Sequence, residues 1–191
     1  MKQATGGVNT HKGMIFSLGI FCCALGYLYG NGISYTEDSF RDTCRQMTAH
    51  ILDDFQGITL DNAKTHGERL FARYGITGIR GEAADGYPTV FETALPVFRQ
   101  YRNEGLSAND AGVLTLLHII AGSVDTNIIA RSDYETFRKV QAQIQSMLNS
   151  GIDKRDFIAE IRTLDQEFIK MNISPGGSAD MLALTYFVAS L

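Results

Sequence analysis

The run from Met14 to Tyr29 contains no charged side chain, and none occurs between Lys12 and Glu37. A helix that is apolar on nearly every side has to be buried on nearly every side, in a protein core or in lipid. At 1.5 Å per residue the run spans roughly 24 Å, short of the roughly 30 Å hydrocarbon layer of a bilayer. Ser17, Gly19 and Gly26 are small enough to let neighbouring helices come close, which fits a central core helix. Thr5-Gly6-Gly7-Val8-Asn9-Thr10-His11-Lys12-Gly13 leads into it and places a polar cluster at the mouth of the helix.

Lys2 and Lys12 ahead of an apolar run also fit a signal peptide. The Gly-Gly-Val-Asn-Thr-His segment is too polar for a leader, and Tyr27, Tyr29 and Asn31 occupy the place of a small-x-small cleavage site. A cytoplasmic core helix is the preferred reading, with a membrane anchor as its competitor. The net charge of −4 argues against a nucleic-acid coat or a polybasic membrane surface. Cys22, Cys23 and Cys44 make no CxxC or zinc pattern and read as buried thiols of a reducing compartment. With 191 residues, 45% of them hydrophobic, and no linker, charge block or repeat, the chain is expected to form one domain.

The rest of the chain reads as helices. Thr36 is set to cap a second one, with Phe40, Cys44, Met47, Ile51 and Phe55 on its apolar face and Gly57 at its end. A third runs near Ala63 to Tyr74, followed by a glycine-rich stretch to Pro88 without sustained periodicity, expected to be a loop. Thr89 to Arg102 is a helix that Pro96 should kink, closed by Glu104-Gly105. From Ser107 or Asn109 a second apolar helix is predicted to continue through Asp125 and Asn127 to Arg131. Ser132-Asp133-Tyr134-Glu135 reads as a capping box for a helix to about Asn149, with Gly151 behind it. Asp153 to Lys170 is amphipathic, and Met181 to Leu191 forms an apolar terminal helix after the break at 174–180. The pattern predicts an all-α bundle of about eight helices around two buried apolar ones.

Polar clusters interrupt this scheme. Asn9, His11 and Lys12 either cap the first helix or receive phosphate oxygens at its N-terminus. The spacing is not that of a Walker loop. Arg80 and Glu82 either form a surface ion pair, or Arg80 clamps a phosphate while Glu82 binds a metal or a ribose hydroxyl. Asp125, inside an apolar stretch, needs a partner or a task, because a buried carboxylate is costly alone. His118, two turns earlier, is a candidate partner, and Asn127 and Arg131 extend the polar set. Either Ser178 is the N-cap of the last helix after a turn, or Gly176, Gly177 and Ser178 present backbone N–H groups to an anion, with Asp180 helping to hold a divalent ion. Two Gly-Gly helix entrances in one small chain point to a polyphosphate substrate.

In this order, Thr5-Gly-Gly-Val-Asn-Thr-His-Lys-Gly, Gly78-Ile-Arg-Gly-Glu82, Asp125-Thr-Asn and Ser174-Pro-Gly-Gly-Ser-Ala-Asp180 resemble the triphosphoribosyl-dephospho-coenzyme A synthase family over essentially the whole chain. The resemblance implies a transferase that joins ATP to 3′-dephospho-coenzyme A and releases adenine. Its product would be the precursor of the citrate lyase or malonate decarboxylase prosthetic group, later loaded onto an acyl carrier protein subunit. Under that resemblance Asp125 is the expected stabiliser of an oxocarbenium-like transition state, or the general base. Glu82 is the alternative base or a metal ligand, and His11 the acid for departing adenine. Asn9, Lys12, Arg80, Asn127, Arg131, Gly176, Gly177, Ser178 and a Mg²⁺ ion would hold the substrates, with Asp180 and Glu82 as metal ligands.

The chain departs from the family in one respect. In the family the Thr-Gly-Gly motif follows an N-terminal helical segment, whereas here four residues precede it. The resemblance therefore implies that a segment supplying part of the pocket is missing. The chain is then the C-terminal part of the family's domain, completed by another polypeptide or inactive alone. Such a loss would expose apolar surface on the first helix and favour oligomerisation.

Overall fold

The computed structural model describes Gln3, residues 11–152 and residues 157–191. The described residues form ten α-helices and no strand, so the all-α expectation holds. The chain divides into two compact units, Met1–Phe91 and Glu92–Leu191.

In the first unit, α1 (Lys12–Gly30) is longer than the apolar run itself and is covered on one side only. Ser17, Phe21, Ala24 and Leu28, spaced by four, three and four residues, are its buried stripe. Ile15 is 65% exposed and Tyr29 90% exposed, and Cys22 and Cys23 are exposed too. The expectation of all-round burial is thus corrected: α2 (Glu37–Met47) and α4 (Ile79–Ala84) pack against one face. By length and composition alone α1 passes for a membrane span, and 22% of that window is buried within the protein.

Thr36 caps α2 through a reciprocal pair with Ser39. The helix stops at Met47, short of Gly57, and Phe55 reaches the core from a short 3₁₀ turn, Asp53–Phe55. Helix α3 (His66–Tyr74) carries a capping box of Thr65 and Glu68 and closes on Gly75 in the left-handed region. The stretch expected to be a loop contains α4, with Gly81 and Ala83 buried. Six residues are too few to show a helical period, which is why the sequence hid it.

The core of this unit is aromatic. Phe21 meets Phe40 edge-on at 4.9 Å and Tyr87 at 4.8 Å, with Phe91 at 6.4 Å. Tyr87 sits at φ 57°, a strained region for a bulky side chain. Burial pushes its phenol well above the ordinary range. Ser17 lies near enough to oppose that rise slightly, yet the pair misses hydrogen-bond geometry and both hydroxyls are buried without a partner.

A π-helical turn, Thr89–Ala94, runs into α5 (Leu95–Asn103). Pro96 stands at the start of α5, where its missing N–H is tolerated. The expected kink is therefore a widened turn just before the proline.

In the second unit α6 (Ala108–Gly122), capped by Ser107, is the buried apolar helix, with Leu114, Leu117, Ile119 and Ile120 among its covered residues. It packs against α5, α8 (Tyr134–Ser150) and α10 (Gly176–Ala189). It does not continue to Arg131. Ser123 is extended, and a separate helix, α7 (Thr126–Arg131), follows. Asp133, not Ser132, caps α8, accepting from the Thr136 N–H at 2.7 Å. Helix α9 is described as Phe157–Lys170; the expected start at Asp153 lies outside the described residues. The last helix begins at Gly176, five residues ahead of the expected Met181, because the Gly-Gly-Ser segment forms its first turn.

Candidate functional site

The strongest polar arrangement is built on Asp125, which is 1% exposed and is the sole buried carboxylate among the described residues. It does not sit mid-helix as expected; it is the N-cap of α7. An aspartate offers backbone N–H groups an acceptor just outside a helix, so its side chain favours a break there over helix continuation. Its Oδ1 accepts from the N–H of Asn127 at 2.9 Å and of Ile128 at 3.2 Å. Its Oδ2 accepts from both the N–H and the Oγ–H of Ser178, each at 2.8 Å. One carboxylate thus ties the starts of α7 and α10 together, and its negative charge faces the positive ends of both helices.

The two glycines ahead of Ser178 make room for this. A Cβ on Gly177 would stand 3.2 Å from Asp125 Oδ1, and one on Gly176 would stand 2.9 Å from Asn127 Nδ2. Ser178 is the third residue of α10 and not its cap; Pro175 holds that place. The carboxylate of Asp125 already occupies the point at which part of this entrance was expected to meet an anion. Asn127 and Arg131 lie one turn apart on the same face of α7. Asn127 is half-buried beside Gly176, and Arg131 is exposed. Asp180 follows on the next residues of α10, half-buried.

His118 is not the partner of Asp125. Its Nε2 lies 3.1 Å from the Tyr101 hydroxyl, a pairing between α6 and α5 that sequence spacing does not show. Burial holds the His118 imidazole below its usual range, and burial followed by the Arg69 charge does the same for His66. Both folded-state groups bind a proton less readily than in the unfolded chain. Their contribution to stability is full above the ordinary value of 6.5 and is lost below it, as pH falls through the lower folded-state values. Denaturant midpoints should therefore drop between about pH 8 and pH 5, and His118→Gln should flatten, without abolishing, that drop. An unchanged slope in the variant refutes the assignment to His118.

In the first unit Glu82 and Arg80 do not pair with each other. Thr89 Oγ1 donates to Glu82 Oε1 at 2.5 Å, and the Thr89 N–H donates to Oε2 at 3.2 Å. Glu82 thereby holds the start of the π turn. Arg80 lies 3.2 Å from Asp54 and stacks over the Phe55 ring at 5.2 Å. His11 precedes α1 without a side-chain cap bond, Lys12 is its first residue, and both are exposed. Asn9 lies outside the described residues. Among the described residues no three His, Cys, Asp or Glu side chains gather to hold a metal ion. Asp180 and Glu82 accordingly form no metal cage with their described neighbours.

Sequence reasoning missed the Asp125–Ser178 and Glu82–Thr89 links. A local signal marked only the cap: Gly122-Ser123 followed by Asp125-Thr-Asn is a helix stop and a new helix start.

Among the described residues these features define a strandless, all-α protein in which a buried carboxylate joins two helix starts. The chain belongs to the ATP:dephospho-CoA triphosphoribosyl transferase family, whose sequence profile matches residues 1–191. A Photobacterium profundum protein named probable 2-(5''-triphosphoribosyl)-3'-dephosphocoenzyme-A synthase is 38% identical over 192 residues, covering 100% of this chain and 61% of the relative. A Pectobacterium carotovorum protein of the same name is 42% identical over 98% of this chain and 61% of its own length. The Pectobacterium atrosepticum 2-(5''-triphosphoribosyl)-3'-dephosphocoenzyme-A synthase is 40% identical with the same coverage. The chain therefore spans about three fifths of these relatives. No solved structure matches it.

Proposed function

We propose that the chain carries part of a cytoplasmic transferase that joins ATP to 3′-dephospho-coenzyme A and releases adenine. The observation that carries this reading is the family match along all 191 residues, which includes each polar cluster described above. In the reaction a ribose hydroxyl of dephospho-coenzyme A attacks the anomeric carbon of the ATP ribose. The glycosidic C–N bond breaks, adenine leaves with a proton, and the hydroxyl proton passes to a base. The product would be 2′-(5″-triphosphoribosyl)-3′-dephospho-coenzyme A, passed on towards an acyl carrier protein subunit of citrate lyase or malonate decarboxylase.

Asp125 already accepts four hydrogen bonds, which fill the lone pairs of a carboxylate. Glu82, half-buried and held by Thr89, is the other carboxylate proposed for the base. His11 would supply the proton to adenine. Asn9, Lys12 and Arg80 in the first unit, and Asn127, Arg131 and the Gly176–Gly177 backbone in the second, are the proposed phosphate-binding groups; the reaction leaves the triphosphate intact.

A second reading, a nucleotide-binding fragment that turns over only when completed, is favoured by the 61% coverage of the relatives. Incubation with ATP, Mg²⁺ and 3′-dephospho-coenzyme A, followed by chromatography for adenine, decides between them. Adenine formed only when both substrates are present supports the first reading. Adenine formed only after the remaining part of a longer relative is supplied supports the second. No adenine in either case refutes the transferase reading.

A further inference from the structure

We propose that Asp125 is a positioning residue, which locks α7 to α10 and so holds Asn127 and Arg131 in fixed register with the Gly176–Gly177 backbone. This rests on the transferase reading for what the register serves. The lock itself stands on geometry alone. The same carboxylate receives donors from two helices, one of them from Ser178, 53 residues away in sequence, with one oxygen assigned to each helix. It is 1% exposed, so no substrate atom reaches it without displacing one of those donors. A Cβ on either glycine ahead of Ser178 would crowd Asp125 or Asn127, so the start of α10 comes closer than a side chain would allow.

Asp125 therefore acts through Asn127 and the start of α10 and not on the reacting carbon. Misplacing a substrate-holding group by about 1 Å costs on the order of a hundredfold in rate, so a lock at this point governs catalysis without touching it.

The test uses the full chain as wild type, Asp125→Asn and Ser178→Ala. An amide at position 125 still serves α7 but presents N–H to the Ser178 N–H, so only the α10 side opens. Loss of the serine hydroxyl removes one bond of four. Hydrogen exchange at the amides of Asn127, Ile128 and Ser178 reads the lock without substrate, and ATP titration reads the register. Expected are faster exchange of the amide at position 178 in both variants and ATP binding weakened by about tenfold in Asp125→Asn, with Ser178→Ala intermediate.

A folded Asp125→Asn variant with unchanged exchange and ATP affinity, but with adenine release down by about a hundredfold or more, overturns the proposal and returns Asp125 to the reacting atoms. If Asp125→Asn does not fold, unchanged exchange and affinity in Ser178→Ala overturn it equally. Wild-type chain that binds no ATP overturns the reading of this chain as nucleotide-binding on its own, and the exchange data still decide the lock.

Discussion

Phe21→Ala should destabilise the first unit by about 3–5 kcal/mol, read as a shift of the denaturant midpoint. Phe21 is fully buried, and its ring is met edge-on by Phe40 and Tyr87. Those rings stand on α2 and on the strained turn after α4, so neither is free to collapse into the space left behind. The cavity term then adds to the lost transfer energy. Ile15→Ala, on the same helix but at a residue 65% exposed, should stay within about 0.5 kcal/mol of wild type. Equal losses at the two positions would mean that α1 is covered on both sides.

Asp125→Ala is expected to cost the second unit about 3 kcal/mol or more. Roughly 1 kcal/mol comes from the lost helix cap, and about 1–3 kcal/mol from each buried donor left without an acceptor. Ser178 contributes two such donors. A chemical-denaturation midpoint that moves by less than about 1 kcal/mol would reduce Asp125 to an ordinary cap on α7.

Local signals were the legible ones. Thr36, Ser107 and the glycines at 75, 105 and 151 mark helix ends by chemistry confined to a few residues, and the structure places the ends there. Apolar periodicity failed where two helices follow one another with little polar spacing. Ile119 to Ile129 reads as one element, and the break at Ser123 hid the role of Asp125. That Asp125 matters was legible, because a carboxylate in apolar surroundings needs donors. Which donors it finds was not, since Ser178 lies 53 residues away and nothing in either segment names the other. Arg80 and Glu82 were recognisable as a polar pair in a glycine-rich stretch, yet a six-residue helix sends them to Asp54 and Thr89.

On α1 the choice of inner face is written in volume and not in polarity. Phe21 and Leu28 point inward while Gly19 and Gly26 point out, with nothing within 4 Å of either glycine's missing side chain. Both faces are apolar, so water alone scarcely distinguishes one rotation of the helix from its opposite. The fit of two large side chains among the rings of α2 and the α4 turn makes that distinction. Exchanging bulk between the two faces, at constant hydropathy, would turn the helix over; adding charge at Gly19 or Gly26 would fix it as it stands.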